Sequence, residues 1–114
     1  MKTWIAFALC FLASFSAGAE IETNKTIVAM GVQDATYGNS AGGVAQAYVI
    51  LSPPPTTNCL YGIAYIKDLS TAGGTALLSM LQRAYSLAKP LSRIDYVQVN
   101  SNSQCFITLI EVGK

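Results

Sequence analysis

The chain contains no histidine. A Ser-His-Asp or Cys-His relay is therefore excluded, because no imidazole is present to take the proton. Three cysteines occur, Cys10, Cys59 and Cys105, without a CxxC pair. With no histidine beside them they do not read as a zinc or redox centre, and no metal or cofactor is expected. The six carboxylates, Glu20, Glu22, Asp34, Asp68, Asp95 and Glu111, are scattered. Glycoside hydrolysis needs two carboxyl groups flanking one bond, and no spacing here marks such a pair, so they read as turn and edge charges. The glycines at 42–43 and 73–74 form neither GxGxxG nor a phosphate loop, since no lysine follows them. The chain is expected not to be an enzyme.

Six tyrosines are the better lead: Tyr37, Tyr48, Tyr61, Tyr65, Tyr85 and Tyr96. A tyrosine offers an apolar face to a sugar ring or a subunit and a hydroxyl for orientation. Most fall in strand-like runs and read as half-buried. Tyr37 stands apart in the glycine-rich stretch DATYGNSAGG, with Asn39 and Ser40 beside it. Loops at the mouth of a barrel bind ligands, so Tyr37, Asn39 and Ser40 are the candidate ligand-binding residues. Gln82 and Arg83 lie on the polar side of a helical stretch and are candidates for lining a pore or meeting a neighbouring subunit. An ordinary solvated face is the plainer account of both.

The elements that must position these residues begin after an export signal. Lys2 precedes an apolar run from Trp4 to Phe15, and Ala17-Gly18-Ala19 has the form of a signal-peptidase site. Residues 1–19 are expected to be cleaved and 20–114 to form one domain, secreted or periplasmic. The apolar run is too short for a preferred membrane span. Leu9 before Cys10 is a poor fit to a lipoprotein signal. After cleavage six basic and six acidic residues remain. That balance argues against nucleic acid, whose binding rests on neutralising phosphates, and against attachment to anionic lipid. Cys59 and Cys105 survive cleavage, and an even pair in an exported chain most simply forms one disulfide.

The most convincing helix spans Asp68 to Pro90. Ser70 or Thr71 can cap it, and Leu77, Leu78, Leu81, Ala84, Tyr85 and Ala88 recur at a helical period. Gly73 and Gly74 inside it read as points of close packing or a loosened first turn. Strands are expected at Thr26–Gln33, Val44–Ser52, Cys59–Lys67, Ser92–Val99 and Cys105–Val112, with Glu20–Thr26 frayed. Pro53-Pro54-Pro55 ends the second strand as a stiff connector. Tyr61, Ile63 and Tyr65 share one face of the third strand, whose two apolar faces place it centrally. The last two strands read as a hairpin. The order β-β-β-α-β-β matches a five-stranded OB-like Greek-key barrel with one disulfide. The alternative is an antiparallel sheet with one packed helix.

Several residues carry a resemblance. Cys59 ends the connector, Leu69-Ser70-Thr71-Ala72-Gly73 opens the helix, and Leu77-Leu78-Ser79-Met80-Leu81 continues it. Ala84-Tyr85-Ser86 leads through Lys89-Pro90 to Ile94-Asp95-Tyr96, and Cys105 opens the last strand. In these the second half of the chain resembles small exported bacterial proteins related to the B subunit of subtilase cytotoxin. The resemblance implies an OB-type barrel and, as in toxin B subunits, a homo-oligomer (a pentamer) that binds a surface glycan. It carries over no binding residue, because the first half does not align. The expected function is an exported, non-enzymatic binding module, glycan-binding and oligomeric. The alternative is an envelope structural or protein-interaction protein with no small-molecule ligand.

Overall fold

The computed structural model describes residues 19–38 and 40–113. The expected export signal lies outside them except for Ala19. Five strands and one helix form in the expected order: β1 (Ala19–Gln33), β2 (Gln46–Ser52), β3 (Ala64–Ile66), α1 (Ala72–Ser86), β4 (Leu91–Gln98) and β5 (Cys105–Val112). The sheet is mixed rather than purely antiparallel. β3 runs parallel to β5, while every other pairing is antiparallel. The strands hydrogen-bond in the order β1-β2-β3-β5-β4, and β4 returns to β1, so the sheet closes on itself.

Strand alternation supplies the interior. Ala47, Val49 and Leu51 of β2 point inward with Ile94 of β4 and Ile107 and Ile110 of β5. Leu81 and Ala84 of α1 complete this core, and Leu77 and Leu78 pack partly against it. The helix is shorter than the expected 68–90. Thr71 caps it, its hydroxyl accepting from the Gly74 N–H at 2.9 Å. Asp68 instead forms a local turn, accepting from the N–H and hydroxyl of Ser70. A Cβ on Gly74 would lie 2.0 Å from the Asp68 carbonyl oxygen, so the close-packing reading holds at that glycine. At the other end Ala88 adopts φ 53°, and the Lys89 N–H bonds the Ala84 carbonyl at 2.8 Å. This is a left-handed helix stop, formed here without the usual glycine. It ends α1 before Pro90 and leaves Tyr85 and Ala88 exposed rather than in the core.

Two strand expectations also change. The third strand is reduced to Ala64–Ile66 because Tyr61 (φ 58°) and Gly62 (φ 70°) turn the chain within residues 60–62. The first strand starts at Ala19, since residues 19–25 pair with β4 instead of fraying, and residues 26–33 pair with β2. A register shift between Ile27 and Ala29 accompanies that change of partner.

The polar N-terminal stretch is held by a buried ion pair. Glu22 and Lys25 are 9% and 4% exposed, and their charged groups stand 2.8 Å apart. Lys25 donates to the Pro54 carbonyl at 3.0 Å. The second Glu22 oxygen accepts from the N–H and hydroxyl of Thr56, each at 2.9 Å, and from the Tyr96 hydroxyl. The network thus fastens the proline connector to β1 and β4. Burial pushes the Glu22 carboxyl up, but Lys25, Tyr96 and Thr56 together outweigh it and hold the pKa at about 2, against an ordinary 4.5.

Cys59 and Cys105 form the expected disulfide, with Cα atoms 5.3 Å apart at a sequence separation of 46. It joins the segment leading into β3 to the start of β5. β3 and β5 share only the register pairs Ala64↔Cys105 and Tyr65↔Phe106, so the covalent link lies where the closed sheet has its shortest seam.

Two outcomes are expected. Replacing both cysteines with serine lowers the unfolding free energy by about 4 kcal/mol, the chain-entropy value for a loop of this size, measured by urea denaturation against the oxidised protein. The Glu22 contribution is complete above its unfolded pKa of 4.5 and is lost as pH falls toward its folded value of about 2. Glu22→Gln should therefore flatten the acid limb of a stability-versus-pH curve, with a difference of about 2–3 kcal/mol developing over that window. An unchanged acid limb would contradict the assignment.

Candidate functional site

The tyrosines converge where the β1–β2 loop meets the outer face of β2 and β3. Tyr48 and Tyr65 are directly opposed across those strands. On the other side Tyr48 pairs with Gly31, where its ring lies so close that a Cβ on the glycine would meet the phenol oxygen at 2.6 Å. Tyr37 from the loop and Tyr61 from the turn before β3 complete the wall. Together with Gln33 and Asp34 these four tyrosines line a cavity of about 360 Å³. That volume lies within the roughly 300–1,000 Å³ usual for small-molecule sites. Tyr65 is buried and Tyr48 half-buried, whereas Tyr37 and Tyr61 are 60% and 74% exposed.

The loop that carries Tyr37 is fixed by local hydrogen bonds. The Tyr37 N–H donates to the Asp34 carbonyl, and the Ser40 N–H donates to the Tyr37 carbonyl, each at 3.0 Å. The Asp34 carboxylate accepts from the Thr36 hydroxyl at 2.7 Å and from the Thr36 N–H. The Thr36 hydroxyl, and then its N–H, hold the Asp34 carboxyl below its usual range. Beneath the loop lie three buried glutamines. Gln33 donates to the Ser40 hydroxyl and the Gln46 amide oxygen, which also accepts from Gln104, while Gln46 donates to the Lys67 carbonyl. These amides anchor the loop to the end of the sheet.

The turn bearing Tyr61 is anchored from the opposite side. The Leu60 N–H donates to the Ser103 carbonyl at 3.0 Å, and the Gly62 N–H donates to the Cys59 carbonyl at 2.8 Å. Left-handed backbone at a non-glycine residue costs roughly 1–2 kcal/mol. It is tolerated here at a tyrosine whose ring faces the cavity and solvent, an arrangement that strain at ligand sites commonly takes.

The candidate residues from the sequence divide accordingly. Tyr37 lines the cavity. Asn39 lies outside the described residues. Ser40 does not line the cavity; its hydroxyl donates to the Asp34 carbonyl and accepts from Gln33, so it shapes the loop. Gln82 and Arg83 are exposed as expected but face different depressions flanking α1. Gln82 borders a groove with Met30, Val32 and Tyr85, and Arg83 borders one with Met80, Leu87 and Val112. The sequence does not mark Tyr48, Tyr61, Tyr65 or Asp34 as ligand residues, though all four line the cavity. The alternation Tyr61, Ile63, Tyr65 carried that signal, since all three line the cavity. Among the described residues no group of three histidine, cysteine or carboxylate side chains gathers to hold a metal.

Compared with known protein families, curated proteins and solved structures, the chain matches none. Nothing in those comparisons ties it to toxin B subunits.

If the Tyr61 ring serves a ligand rather than the fold, Tyr61→Gly should leave stability within about 1 kcal/mol of wild type. Relief of left-handed strain offsets the added freedom of the unfolded chain. Urea unfolding midpoints measure this, and a loss above about 2 kcal/mol would make the ring a packing element instead.

Proposed function

We propose that the protein is an exported, non-enzymatic binding module whose closed sheet is a barrel of the oligonucleotide/oligosaccharide-binding type, and that its ligand is a glycan. The observation that carries the reading is the convergence of Tyr37, Tyr48, Tyr61 and Tyr65, from three separate segments, on one cavity. Aromatic faces suit the C–H face of a pyranose, and the Asp34 carboxylate supplies a hydrogen-bonding group beside them. The strand order, the parallel β3–β5 seam and the helix between β3 and β4 support the barrel type. In such barrels the second and third strands and the first loop form the ligand face, the region where this cavity lies. The disulfide fits an oxidising compartment outside the cytoplasm. No helix among the described residues is long and apolar enough to cross a membrane.

Assembly as a homo-oligomer, a pentamer in the toxin relatives that the second half resembles, belongs to the same reading. Exposed apolar side chains on β1 (Ile21, Val28, Val32) and α1 (Met80, Tyr85) supply surface for subunit contacts. Repeating a weak site around an axis raises avidity without any new contact to the glycan. The same apolar residues are what favour the second reading, an envelope protein that binds another protein with no small-molecule ligand.

The test is glycan capture on an array by the oxidised protein, with its mass in solution measured by light scattering. Tyr37→Ala and Tyr61→Ala should each lower capture about tenfold or more while leaving the unfolding midpoint nearly unchanged. Capture that survives both substitutions would remove the cavity from the function.

A further inference from the structure

The charge of the cavity narrows the ligand class. Asp34 is the one charged group among its lining residues, and the other lining side chains are aromatic, aliphatic or amide. Among the described residues no lysine or arginine lines it. The nearest cation in sequence to β3 is Lys67, and its ammonium lies 5.5 Å from the centre of the Phe106 ring, engaged with that ring's face. The Asp34 carboxylate stays ionised at neutral pH, since Thr36 stabilises its charged form. One of its oxygens takes both Thr36 bonds, and the turn that these bonds close fixes where the charge sits at the rim.

From this we infer that the cavity takes an uncharged glycosyl residue and discriminates against acidic sugars such as sialic acids and hexuronates. The inference rests on the glycan reading above and adds the sign of the charge. A hydroxyl-bearing pyranose can lay its C–H face on an exposed tyrosine and donate a hydrogen bond to the Asp34 carboxylate. A sugar carboxylate in the same place meets a like charge, with no lining cation to pair it and a low-dielectric aromatic wall around it. Two like charges about 4–5 Å apart near water oppose one another enough to change affinity by about fivefold, and more where water is partly excluded. Salt screens such a term.

The experiment uses the oxidised wild-type protein and Asp34→Asn on one array of neutral and acid-terminated glycans, including matched hexose and hexuronate termini. Asparagine keeps the side-chain oxygen that accepts from Thr36, so the loop turn is retained while the charge is removed. Wild type should bind neutral termini and bind the matched hexuronates at least about fivefold more weakly at low salt. The gap should narrow as salt is raised, and Asp34→Asn should bring the two within about twofold. Wild-type capture of acid-terminated glycans equal to or stronger than neutral ones would overturn the inference while leaving the glycan reading intact. A neutral-to-acidic ratio that Asp34→Asn leaves unchanged would overturn the role of this carboxylate. Capture of no glycan of either kind would overturn both readings together.

Discussion

The seam between β3 and β5 is the constraint on which the rest of the molecule depends. It is the one parallel pairing, and it has two register pairs, whereas β4 and β5 are matched over most of their length. Without it the sheet has two free edges and β3 loses one of its neighbours. Several interactions gather there to hold it. The disulfide enters β5 at its first residue. The Leu60 N–H reaches Ser103, and the Gln98 amide reaches both Asn58 and Ser103. Their common effect is to fix the segment 58–63 against the β4–β5 turn. Tyr61 and Ile63 ride on that segment, so the seam that closes the sheet also places one wall of the cavity.

A second set of polar groups does comparable work in the interior and by opposite means. Glu22 and Lys25 are charges that burial would expel if either stood alone. Removing one partner of such a pair is costly because it strands the other. Here each charge has further partners, and apart from the Tyr96 hydroxyl on β4 those partners lie on the connector that carries three prolines. Proline cannot join a ladder through its own nitrogen. The connector is therefore held through a carbonyl and a threonine, contacts that proline leaves available. The buried glutamines at the other end of the sheet play a neutral version of this role beneath the Tyr37 loop.

Much of the fold was legible in the sequence because its signals were local. Runs of β-prone residues marked β2 and β5, the leucine spacing marked α1, and Cys59 and Cys105 marked their bond. The departures came where a distant partner overrode local character. Residues 19–25 look polar and frayed, yet they pair with β4, whose residues lie some seventy positions away. Ala88 carries no sign of a helix stop, since glycine is the residue that announces one. Tyr61 sits in a run that alternates like a strand, and only its backbone turn reveals that the ring is displayed rather than packed. The site was half legible for the same reason. Tyr37 stood out by its loop, while Tyr48 and Tyr65 looked like ordinary strand residues until their strands were paired.

The position of Cys105 has a consequence for how the protein is made. β5 is the last strand among the described residues and supplies one half of the disulfide, one of the two neighbours of β4 and the parallel partner for β3. A chain synthesised from its N-terminus delivers this strand after the others. Until it arrives, the cysteine at 59 has no native mate, and the tyrosine-bearing segment has nothing to rest against. The cavity wall is thus completed in a single late event rather than element by element. A nascent or C-terminally clipped chain can present its loops but not the finished cavity.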